Sequence, residues 1–176
     1  MTTVKAERFL LTDSKGNPRA ELAMAADGPV LAFYDEEGKP RVKVGATEAE
    51  AGFILYDSDG HKLAQLDAIQ PGLILYEEGQ VRAALGITNL GGSLALYHDD
   101  EKPVAVLGVD AEAWSPALSL YGRNGQLQAK LITAPVGSSR LLLFDGAGDT
   151  SIEVACDPTS LGIEVSRNGK VIWKAP

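Results

Sequence analysis

The feature that most constrains this chain is a short motif repeated in tandem. A bulky apolar triplet ends in tyrosine and then an acidic or turn residue: Leu31-Ala32-Phe33-Tyr34-Asp35, Phe53-Ile54-Leu55-Tyr56-Asp57, Leu73-Ile74-Leu75-Tyr76-Glu77 and Leu94-Ala95-Leu96-Tyr97-His98. Leu118-Ser119-Leu120-Tyr121-Gly122 and Leu141-Leu142-Leu143-Phe144-Asp145 continue the series. Phe9-Leu10-Leu11-Thr12-Asp13 opens it, and a degenerate Leu161-Gly162-Ile163-Glu164-Val165 closes it. The tyrosine position recurs on average every 22 residues over the first seven copies. A period of this size marks a repeat architecture in which one supersecondary unit cannot bury its own face. The predicted organisation is a single repeat domain, 1–176, with units near 9–29, 30–51, 52–71, 72–91, 92–115, 116–138, 139–158 and 159–176.

Each unit reads as a hairpin. A glycine follows the tyrosine position by four residues at Gly16, Gly38, Gly60, Gly125 and Gly148. That spacing suits a type I turn closed by a residue at positive φ, which only glycine adopts cheaply. Asp35-Glu36-Glu37-Gly38, Gly122-Arg123-Asn124-Gly125 and Ser166-Arg167-Asn168-Gly169 are expected to share this shape. The returning runs alternate with period two, as in Arg41-Val42-Lys43-Val44 and Gln128-Ala129-Lys130-Leu131, so one face is apolar and the other wet. The outgoing runs also carry apolar residues between their leucines (Leu10, Ile54, Ile74, Leu142), which predicts strands covered on both faces, with the return strand outside them.

No stretch keeps helical spacing over a useful length, and Ala46-Thr47-Glu48-Ala49-Glu50-Ala51 reads as an inter-hairpin loop. The fold class is therefore all-β: eight tandem β-hairpin repeats of about 22 residues. They can be arranged as a hairpin solenoid or superhelix, as a four-bladed propeller-like closure, or as an open meander completed by self-association. The loops Asp27-Gly28-Pro29, Gln70-Pro71-Gly72, Ser115-Pro116 and Ala134-Pro135 make the series similar in architecture to the hairpin repeats of cell-wall-binding modules and, more distantly, to viral fibre-shaft spirals. The tryptophans and glycine pairs of the cell-wall repeats are missing, so the resemblance implies no ligand.

Composition narrows the function. With 24 acidic and 16 basic residues the net charge is −8, which repels nucleic acid. Cys156 is the sole cysteine, so no internal disulfide or thiolate metal site is available. The N-terminus lacks the apolar core of a signal peptide, and no apolar run reaches the ~18–20 residues of a membrane helix. A cytoplasmic protein without membrane or nucleic-acid partners is expected.

Few polar residues are left over for chemistry. Asp57-Ser58-Asp59-Gly60 opens like a calcium loop but lacks the third oxygen ligand and the distal glutamate, so it reads as a turn and no metal or cofactor is expected. His61 and His98 fall at loop tips, Cys156 has no basic neighbour to activate it, and Ser138-Ser139 lacks a nucleophile-elbow frame. No enzymatic activity is expected. Arg19, Arg41 and Arg82 should pair with Asp13, Asp35 and Glu77 across strands. Tyr34, Tyr56, Tyr76, Tyr97 and Tyr121 occupy equivalent positions and should form a stripe, packed by its rings or available to a sugar or a partner. The expected function is a non-catalytic structural or interaction module that self-assembles or binds a protein. The alternative is a carbohydrate- or ligand-binding module that uses the tyrosines.

Overall fold

A computed structural model describes residues 2–47, 51–98, 102–133, 137–156 and 161–175. All of its regular structure is β, and the chain divides into two compact units, Met1–Arg82 and Ala83–Pro176. The first unit contains β1 (Arg8–Thr12), β2 (Pro18–Ala25), β3 (Gly28–Tyr34), β4 (Pro40–Ala46), β5 (Ala51–Tyr56), β6 (Lys62–Asp67) and β7 (Gly72–Glu77). Strand β8 (Gln80–Thr88) carries the division between the units. The second unit continues with β9 (Gly91–Tyr97), β10 (Pro103–Val109), β11 (Pro116–Tyr121), β12 (Leu127–Thr133), β13 (Ser139–Phe144), β14 (Thr150–Cys156), β15 (Leu161–Arg167) and β16 (Lys170–Ala175). Strand order is chain order, and neighbours run antiparallel. The tandem hairpins are therefore present. Residues 48–50 of the expected inter-hairpin loop, and Ala134-Pro135, lie outside the described residues.

The turns follow from their sequences. At Asp13, Asp35, Asp57 and Asp145 the backbone carbonyl accepts the N–H of the glycine three residues on. The same aspartates use one carboxylate oxygen to accept later N–H groups of the turn, as when Asp35 Oδ1 accepts from Glu37 and Lys39 at 3.0 and 2.9 Å. Gly38 sits at φ 80°, the left-handed region a side chain resists. Pairing register shifts immediately before the tyrosine, at Phe33/Tyr34, Leu55/Tyr56 and Leu120/Tyr121, so each tyrosine follows a β-bulge. Gly122-Arg123-Asn124-Gly125 takes the same shape. Ser166-Arg167-Asn168-Gly169 does not. There Asn168 and Gly169 both have positive φ, 51° and 70°, making a two-residue turn of the mirror-image type, and Glu78-Gly79 does the same. Asparagine and glycine together tolerate that conformation, which shortens the loop.

Two arrangements expected from the sequence are corrected. Separate four-stranded propeller blades would break the pairing after every fourth strand. Instead β4 pairs with β5, β8 with β9 and β12 with β13. Nor are the outgoing strands covered on both faces, because among the described residues contacts between elements within each unit join only strands adjacent in the chain. Ile54 is nevertheless 3% exposed. The register explains it: Ile54 stands between Lys43 and Gln65, as Leu142 stands between Lys130 and Glu153. Long polar side chains with apolar stems can cover such a residue from the side while their heads stay in water. An apolar centre of a strand is thus shielded within its own face rather than by a second layer.

Candidate interaction face

Antiparallel register carries each unit's strand pattern sideways into rows. In the first unit Phe9, Leu22, Leu31, Val44, Phe53, Leu66 and Leu73 are successive cross-strand partners. Beside them run Leu11, Ala20, Phe33, Val42, Leu55, Ala64 and Leu75. The second unit repeats the design, with Leu85, Leu94, Leu107, Leu118, Leu131 and Leu141 in one row, followed by Val154 and Ile163. Every residue in these rows is apolar. Many of their large side chains are open to solvent, Leu66 at 56%, Leu107 at 53% and Leu131 at 51%, while others such as Leu31 and Leu55 are half-buried. A sheet normally buries such a face against a second layer, and among the described residues of either unit none is supplied.

The opposite face carries the charge and is satisfied internally. Glu21 pairs with Arg8 at 2.9 Å and lies in register between Leu10 and Ala32. Lys130 and Asp110 form the least exposed ion pair among the described residues, and that bond holds the Asp110 carboxyl below its ordinary range, aided by the N–H groups of Ala113 and Glu112. This pair was not foreseen from sequence, since its partners come from a loop and a strand 20 residues apart. Only the register brings them together. The three expected arginine pairs are present: Arg19 with Asp13 at 4.0 Å, Arg41 with Asp35 at 3.8 Å and Arg82 with Glu77 at 2.9 Å.

The tyrosines lie on this charged face, at the ends of alternate strands. Tyr34, Tyr56 and Tyr76 do so in the first unit and Tyr97 and Tyr121 in the second, all half-buried. The Tyr34 hydroxyl donates to Glu21 Oε2 at 3.5 Å and that of Tyr76 to Gln65 Oε1 at 3.2 Å. Burial, then the Glu21 charge, raises the pKa of Tyr34; burial, then Asp67, raises that of Tyr76. Both remain neutral hydrogen-bonding groups near pH 7. Tyr34 also lines a shallow groove of about 290 Å³ with Glu21, Ala32 and Lys43, and a second of about 370 Å³ lies over Asp110, Lys130 and Arg140.

At the turn tips, Asp57, Asp59 and His61 bring one ligand atom each within 4.8 Å of one another. Asp57 Oδ1 already accepts the N–H groups of Asp59 and His61, and its Oδ2 stands 3.2 Å from His61 Nδ1. These are the bonds of the other aspartate turns with a histidine added. His98 is exposed at the end of β9, Cys156 is an exposed free thiol at the end of β14, and Ser138 is buried beside exposed Ser139. His61 and Cys156 belong to different units. No helix of the described residues is long and apolar enough to cross a membrane. No protein-family model matches the chain, and neither does any curated protein.

Proposed function

We propose that this protein is a non-catalytic structural or interaction module that works by burying its apolar sheet face, and that it assembles with itself in the cytoplasm. The observation that carries this reading is the pair of uncharged rows, many of whose large side chains are exposed, that no other element covers among the described residues of either unit. Apolar area is worth roughly 25 cal/mol per Å² removed from water, so an open face of this extent is a standing drive to associate. Carboxylates that could have done chemistry are engaged elsewhere: turn aspartates cap backbone N–H groups, and Glu21, Glu153 and Glu164 pair with arginine or lysine.

Light scattering coupled to size exclusion, at two protein concentrations and two salt levels, tests the reading. A defined mass above the 18.6 kDa of one chain, insensitive to salt, is the expected result. A second reading, a ligand-binding module, is favoured by the groove beside Tyr34. A chain that stays at 18.6 kDa and whose tyrosine emission is quenched by a glycan would establish that reading instead.

A further inference from the structure

The two apolar rows of the second unit are not alike. One is large throughout. The other, in cross-strand order, reads Ala83, Leu96, Ala105, Leu120, Ala129, Leu143: from β8 to β13 it has alanine on each return strand and leucine on each outgoing one, before Ile152, Val165 and Trp173 continue it. Strands lie ~4.7–4.9 Å apart, so the leucines recur about every 9.5 Å with a gap the width of an alanine between them. Leu96 and Leu120 are 44% and 43% exposed, and Ala105 and Ala129 lie lower between their leucine neighbours. Over these six strands the surface is corrugated, with knobs and holes in succession.

We propose that this face packs against the same face of a second copy, leucines of one entering the alanine gaps of the other. The inference rests on the assembly reading above and adds its partner and its register. Three observations favour a second copy. The corrugation has the period of a two-strand repeat, and another sheet of the same repeat presents the same period. A two-fold axis running along the strands and midway between β10 and β11 places every leucine of this six-strand row in one chain over an alanine of the same row in the other, which is the self-complementarity that an isologous contact requires. The rows carry no charge, so chains of net charge −8 can meet through them while their ionised groups stay on the far face.

Area points the same way. A globular monomer of this mass exposes about 8,200 Å², whereas this chain exposes 11963 Å². The excess, roughly 3,700 Å² over both faces and the edges, is several times the ~800 Å² per partner of a standard interface, so the chain has surface enough for such a contact. A bilayer is a poor occupant, since two rows about 7 Å apart fall short of the ~25 Å apolar band of a membrane barrel.

The test is to fill the holes. Ala105→Leu and Ala129→Leu add apolar surface, so unspecific hydrophobic association would tighten. Interlocked packing would instead weaken, with the dissociation constant from sedimentation equilibrium rising about ten- to a hundredfold for each variant. Ala105→Ser keeps the hole and should keep the wild-type mass, and Gln128→Leu on the other face should do the same. Far-UV circular dichroism reports whether each variant is folded, and Ala105→Val supplies a smaller step if leucine is not tolerated. A wild-type oligomer whose affinity is unchanged or increased by Ala105→Leu and Ala129→Leu overturns the interlock and leaves the assembly reading standing. A wild type that remains at 18.6 kDa at every concentration overturns both.

Discussion

The two faces of each sheet are built by the same strands, yet they solve opposite problems. On the charged face, residues of alternating chemistry stand side by side: Ala32 between Glu21 and Lys43, Ile54 between Lys43 and Gln65, Leu142 between Lys130 and Glu153. Apolar groups there are screened by the stems of their neighbours, and the charges find partners within the sheet. On the other face like stands beside like. A leucine flanked by leucines gains contact sideways but keeps its outward surface in water. The difference teaches that a single-layer sheet can satisfy one face from within only by mixing polarity across strands, and the unmixed face is left for another molecule.

The sharpest way to break this contrast is to give the apolar face a charge. Leu107→Asp with Leu118→Asp puts two carboxylates on facing positions of β10 and β11, and assembly should be lost altogether, with light scattering returning the mass of one chain. A buried unpaired carboxylate costs several kcal/mol, which at ~1.4 kcal/mol per decade is more than a hundredfold in affinity. Gln128→Asp on the charged face should leave the mass unchanged.

The next largest effect tests how tightly the charged face is built. A methyl group on Gly52 would collide with the Leu66 carbonyl oxygen, so Gly52→Ala should lower unfolding stability by about 2–4 kcal/mol in urea titration. Gly38→Ala, at a turn with open space around it but φ of 80°, should cost only about 1 kcal/mol. Lys130→Met removes the partner of Asp110 yet leaves that carboxylate two backbone N–H groups, so the expected loss is about 1–2 kcal/mol by the same titration.

The smallest effect concerns the rim, where Asp13, Asp35 and Asp145 are held below the ordinary carboxylate range chiefly by N–H groups of Asn17, Lys39 and Thr150. At Asp57 partial desolvation opposes the shift, but the N–H groups of His61 and Asp59 prevail. A carboxyl whose folded pKa is depressed contributes stability that is present above its unfolded value, about 3.9, and lost as pH falls through the folded one. The urea midpoint, at fixed protein concentration, should therefore be flat above about pH 5 and decline below about pH 4. Replacing the four aspartates by asparagine should flatten that decline.

Much of this was legible in the chain. The repeat is written in Tyr34, Tyr56, Tyr76, Tyr97 and Tyr121, the turns in glycines four residues on, and the ion pairs of Arg19, Arg41 and Arg82 in their proximity to acidic turn residues. The misreading lay in Ile54, Ile74 and Leu142. An apolar residue in the middle of a strand looks the same whether a second sheet covers it or a neighbouring lysine stem does, because the cover comes from a strand whose register the local pattern does not specify. The Asn168-Gly169 turn was misjudged for a related reason: its length depends on which residues pair across it, not on the four residues alone.

By itself the sequence determined the elements: period-two runs, glycine-closed turns and an acidic net charge. These follow from local sterics and polarity, which act over a few residues. Only the tertiary structure decided that hairpins join by continued pairing rather than in blades, that Asp110 meets Lys130, and that leucines gather into rows on one face while alanines recur between them in the second. Those outcomes depend on register across strands about 10 to 20 residues apart, where a one-residue slip would move every side chain to the other face.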